Sequence, residues 1–84
     1  MQTIEYTPIG VCSRKILIQV EDGVIIGVTF EGGCPGNLLG ISALVKNQPI
    51  NDVIKKLSGI RCGNKPTSCP DQLAKALSFI ENAD

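Results

Sequence analysis

Eighty-four residues, 43% of them hydrophobic, suffice for one domain spanning 1–84 and one lean core, with no Trp and only Tyr6, Phe30 and Phe79 as aromatics. Eight basic and eight acidic side chains cancel and there is no histidine, which sets aside histidine-based catalysis and a strongly basic nucleic-acid surface. No apolar run is long enough to cross a bilayer, and "MQTIEYTPIG" lacks a basic segment followed by an apolar one, so a cytoplasmic setting with reduced thiols and no membrane partner is expected.

In chain order, "TIEYT" alternates Ile4 and Tyr6 against polar neighbours and predicts a strand near 2–7, ended by Pro8. "KILIQV" places Ile16, Ile18 and Val20 on one face and predicts a second strand near 14–20. A third, near 24–31, would put Val24, Ile26, Val28 and Phe30 on a shared face. Between them Asp22-Gly23 is a hairpin signal, since Gly supplies the positive φ of a type I′ turn. The expectation is a three-stranded antiparallel sheet with one covered face.

After Cys34 the period changes. "GNLLGISALVK" spaces Leu38, Ile41 and Val45 at helical intervals, with Leu39 and Ala43 alongside, and predicts a largely buried helix near 36–46. "NQP" breaks it, and Asn51 is the expected N-cap of a short helix near 51–58 carrying Val53, Ile54 and Leu57 inward and Lys55 and Lys56 outward. "SGIRCGNKPT" reads as a loop. The last helix is expected near 70–82, with Leu73, Leu77 and Ile80 inward and Ser68 and Asp71 at the spacing of a capping box. The fold class is therefore α+β. The four cations of "KKLSGIRCGNK" lack interleaved aromatics and read as a solvated helix and loop surface, so no nucleic-acid partner is expected.

Chemistry rests on four cysteines. Cys12 precedes the second strand, Cys34 follows the third, and Cys62 and Cys69 flank the loop before the last helix. The hairpin would bring Cys12 beside Cys34. Cys34 and Cys69 each precede a proline at a helix start, where the macrodipole and free N–H groups favour a thiolate. A tetrahedral zinc site of four thiolates follows as one reading. Buried cysteines acting as small hydrophobes are a second, and a redox pair is a third. "GGCPGN" is no P-loop, because no Lys-Ser/Thr follows it, and Gly32-Gly33 reads first as turn geometry.

"GVCSRKI", "GGCPGNLLGISAL" and "GIRCGNKPTSCPDQLAKAL" together resemble the TSCPD domain family, over nearly the whole chain. That family occurs as short standalone bacterial proteins and as a C-terminal module of adenosylcobalamin-dependent ribonucleotide reductases. The resemblance implies a cysteine-based metal-binding module with a tie to ribonucleotide reductase and deoxyribonucleotide synthesis. With no His and no nucleotide motif among the residues, catalysis by the isolated domain is not expected.

More distantly, the order of cysteine, hairpin, Gly-Cys-x-Gly helix start and cysteine before a final helix is similar to iron–sulfur scaffold proteins of the IscU/NifU type. On that pattern Cys12, Cys34 and Cys69 stand for the scaffold cysteines. Arg14 replaces an Asp ligand, Ser68 replaces a His, and the Leu-Pro-Pro-Val-Lys chaperone motif is missing, while Cys62 is available as a fourth ligand. The expected metal site is thus Cys12, Cys34, Cys62 and Cys69, holding zinc or, alternatively, an iron–sulfur cluster. A further alternative is a thiol redox partner of ribonucleotide reductase cycling Cys62 and Cys69, although their spacing lacks the CxxC geometry of thioredoxin-like pairs.

Overall fold

The structure is a computed structural model that describes the backbone of residues 1–33 and 35–83, and their side chains apart from those of Pro35 and residues 81–83. Three strands, β1 (Gln2–Tyr6), β2 (Ser13–Glu21) and β3 (Val24–Gly32), precede three helices, α1 (Pro35–Val45), α2 (Ile50–Leu57) and α3 (Cys69–Ala83). The strands form one antiparallel sheet in the order β1-β2-β3. The α+β class and all six elements are as expected, and each helix begins one residue before its expected start.

Asp22 and Gly23 both have positive φ, +52° and +76°, as a type I′ turn requires. One face of the sheet is covered. Ile16, Ile18, Val20, Ile25 and Val28 pack there with Val45, Ile50, Val53, Leu73, Ala76, Leu77 and Ile80, and Ile4, Tyr6 and Phe30 lean on the margin. The other face is mostly polar, with Leu17 among its side chains, and carries Lys15 between Glu5, at 2.6 Å, and Glu31, at 3.7 Å.

Two irregularities in the β2–β3 ladder correct the simple alternation. Gln19 pairs with Gly27 while Val20 pairs with Ile25, so Ile26 is an extra residue on β3. The bulge shifts the phase of the strand start: Ile25, in place of the expected Ile26, enters the core beside Val28. At the other end Ser13 pairs with Gly32 and Lys15 with Glu31, leaving Arg14 unpaired. Strict alternation from Ile16 would send Ser13 outward. The bulge turns it in, and Ser13 is buried while Arg14 is exposed.

Helix α1 packs against β3, yet it is less covered than its composition suggests. Leu38 and Val45 are buried and Ile41 is half-buried, but Leu39 and Leu44 are 71% and 78% exposed and Ala43 faces solvent. One stripe of an 11-residue helix suffices for a sheet this small. Asn47, at φ +67°, ends the helix, and the following turn then runs along the free edge of β3. Ile25 N–H donates to Gln48 O at 2.9 Å, Asn47 N–H to Ile25 O at 2.7 Å, and Ile50 N–H to Gly23 O at 2.9 Å. That turn also fixes the start of α2. Its N-cap is Pro49, not Asn51, and no side chain caps it. Among the described residues no helix is long and apolar enough to cross a membrane.

Candidate functional site

The segment Thr67-Ser68-Cys69-Pro70-Asp71-Gln72 enters α3 with almost every polar side chain engaged. Ser68 Oγ accepts from Asp71 N–H at 3.1 Å and donates to the Ile60 carbonyl at 2.6 Å, so it is the expected N-cap and also a tether for the preceding loop. Asp71 departs from the capping-box expectation. Its carboxylate does not reach back to the cap; Oδ1 accepts from Gly59 N–H at 2.7 Å and Oδ2 from the Thr67 hydroxyl. The Thr67 hydroxyl and then the Gly59 amide hold the Asp71 carboxyl below its usual range, against an opposing effect of burial.

Gln72 extends the network to the opposite loop. Its Nε2 donates to Thr67 Oγ1 at 3.0 Å, and its Oε1 accepts from Ile9 N–H at 3.1 Å and from the Tyr6 hydroxyl at 3.4 Å. No buried side-chain polar atom among the described residues lacks a partner. The network pins both the β1–β2 loop and the loop after α2 to the first turn of α3. Within the latter loop, Cys62 N–H donates to Thr67 O at 3.1 Å and Lys65 N–H to Cys62 O at 3.0 Å.

The consequence is a groove of about 540 Å³ into which these loops deliver thiols. Cys12 from the β1–β2 loop, Cys62 from the second loop and Cys69 from the start of α3 all line it. Gly36, Leu38, Gly40, Ile41 and Leu44 of α1 line it as well, and Arg61 adds a positive charge. Cys12 and Cys62 are exposed free thiols, whereas Cys69 is buried with Sγ 3.2 Å from Ser13 Oγ. Gly33 is required beside Cys12. It has φ +79°, and a Cβ there would stand 2.8 Å from Leu38 Cδ1 and 3.5 Å from Cys12 Sγ.

Three of the four expected ligands thus share one groove. Cys34 and its expected approach to Cys12 lie outside the described residues. Among the described residues no three cysteine or acidic side chains stand close enough together to hold a metal ion, so the thiols are assembled on one surface without being at ligand spacing. Donor chemistry and location fit a soft-metal site; the spacing of the described side chains does not by itself complete one. Sequence reasoning missed Ser13, Thr67 and Gln72. Thr67 and Gln72 flank the capping box and carry the signal only through being polar on both sides of a helix start.

In comparison with protein families, the model of the TSCPD domain matches residues 1–79. Comparisons with curated proteins and with solved structures found no match. The residues that spell that domain's name, Thr67 to Asp71, are the ones that cap α3, tether the loop after α2 and place Cys69 in the groove, while the next residue, Gln72, holds the β1–β2 loop. The chain belongs to the TSCPD domain family.

Proposed function

We propose that this TSCPD domain is a metal-binding module in which Cys12, Cys34, Cys62 and Cys69 hold a zinc ion. The observation that carries the reading is the convergence of Cys12, Cys62 and Cys69, drawn from two loops and a helix start, on a single groove. Buried cysteines acting as small hydrophobes would not need such a network of tethers, and two of the three are exposed. Cys69 is held in place by Ser13 and the first turn of α3, and the exposed Cys12 and Cys62 would have to move in toward it to share a metal. Zinc supplies tetrahedral coordination with no redox chemistry of its own, and the chain's contribution is to orient the thiolates and to shield the inner one from water.

The exposure of Cys12 and Cys62 favours one second reading, an iron–sulfur scaffold or carrier using the same thiols, since a group that is handed on must be reached from outside. Zinc and iron–sulfur clusters both accept four thiolates. The partner suggested by the family resemblance is ribonucleotide reductase, or else another protein, with the domain acting in the cytoplasm as a non-catalytic accessory. A dithiol role for Cys62 and Cys69 toward that enzyme ranks below metal binding, because Cys69 is buried against Ser13 while Cys62 faces solvent.

Purification without air, followed by metal analysis, a visible spectrum and thiol titration, tests these readings. Zinc with no visible absorption and thiols that titrate only after metal removal support the zinc module. Brown colour with iron and sulfide supports the scaffold. Four thiols titrating at once in metal-free protein overturn both.

A further inference from the structure

We infer that Ser13 is a positioning residue of the metal site, donating its hydroxyl hydrogen to the Cys69 sulfur and fixing Cys69 as the anchored ligand; this rests on the metal-binding reading above. Two independent features point to it. The first is the bulge at Arg14. Without that extra residue Ser13 would project from the polar face of the sheet with Lys15, and with it Ser13 is 3% exposed and faces α3. Bulges that re-aim a side chain recur beside functional sites.

The second is the partner. Ser13 Oγ lies 3.2 Å from Cys69 Sγ, the one hydrogen bond of this hydroxyl among the described residues. A neutral thiol is a weak donor and a weak acceptor, and burying a hydroxyl without a good partner is unfavourable. Alanine would fill the same space without that cost. A metal-bound sulfur carries negative charge and accepts a much stronger, charge-assisted hydrogen bond. The pair therefore makes physical sense as a support for a ligating sulfur, the role that groups hydrogen-bonded to metal ligands commonly play. Cys12 and Cys62 have no such side-chain partner among the described residues, which separates one anchored thiol from two exposed ones.

Zinc affinity measured on the whole chain by chelator competition tests the inference, with wild type, Ser13→Ala and Ser13→Thr compared. Loss of a group supporting a ligand typically lowers metal affinity about 10–100-fold, and Ser13→Ala is expected to fall in that range while Ser13→Thr, which keeps the hydroxyl, stays within about threefold of wild type. The metal-free Ser13→Ala protein is expected to melt at the wild-type temperature or above, because removing a poorly partnered buried hydroxyl does not weaken the fold. Wild-type zinc affinity in Ser13→Ala overturns the inference and leaves the metal reading standing. A Ser13→Ala loss matched by a lower metal-free melting temperature and not restored by threonine also overturns it, since Ser13 would then serve the fold alone. A wild-type chain that binds no zinc overturns both.

Discussion

Asp71 is a buried carboxylate kept charged by donors on two sides, the Thr67 hydroxyl and the Gly59 amide, with Lys75 at 3.5 Å one helical turn away. Its folded pKa lies below the unfolded value of 3.8, so folding favours the charged form. The stability this provides is complete above the unfolded pKa and is lost as pH falls through 3.8 toward the depressed folded value. Thermal melts of the metal-free protein between about pH 6 and pH 3 are expected to show a steeper acid loss in wild type than in Asp71→Asn, which has no charge to neutralise; parallel curves would contradict the assignment. The capping role of Ser68 could be read from spacing alone. The destination of the Asp71 carboxylate could not, because it bonds Gly59, twelve positions back across a loop whose path no local pattern fixes. Ser13 was hidden for a similar reason: a one-residue bulge decides which way it points.

At the scale of elements, periodicity located three strands and three helices because each buries one face, and that face must repeat with the period of the element. It failed where ladder or helix met an irregular neighbour. Val24 and Ile26 alternate with Val28 and Phe30 in sequence, but the bulge at Ile26 moves Ile25 to the core. In α1, the apolar run from Leu38 to Val45 suggested a largely buried helix, whereas Leu39, Ala43 and Leu44 face solvent and the helix packs chiefly on β3. The distinction is measurable. Leu38→Ala is expected to destabilise by about 2–4 kcal/mol, the usual range for a buried leucine, and Leu44→Ala, at 78% exposure, by less than about 0.5 kcal/mol. Equal effects in denaturant unfolding would mean that the outer face of α1 is covered in solution.

For the whole molecule, the division of labour between core and groove sets what metal does for stability. Among the described residues, the twelve of the central cluster include no cysteine and draw on β2, β3 and all three helices, so the described core does not depend on the thiols. The groove lies at one end, joining the β1–β2 loop, α1, the loop after α2 and the start of α3. A metal held by the four cysteines, as proposed, would cross-link those segments. Domains of this size are worth about 5–10 kcal/mol in total, and removal of a cross-link across four segments is expected to lower the thermal midpoint by more than about 10 °C under reducing conditions, at several degrees per kcal/mol. The independent core predicts that unfolding stays cooperative after metal removal. An unchanged midpoint after confirmed removal would assign the thiols to transfer or partner binding and not to stability.

The central claim is that four cysteines act as one metal site, and metal content per chain in the single serine variants addresses it most directly. Zinc close to one equivalent in protein purified without air, reduced severalfold in each of Cys12→Ser, Cys34→Ser, Cys62→Ser and Cys69→Ser, is the predicted result. Retention of full occupancy by Cys62→Ser alone would leave three protein ligands and an open position, the arrangement of a site that exchanges or activates what it binds. Absence of metal from the wild-type protein, or full occupancy in all four variants, would contradict the account.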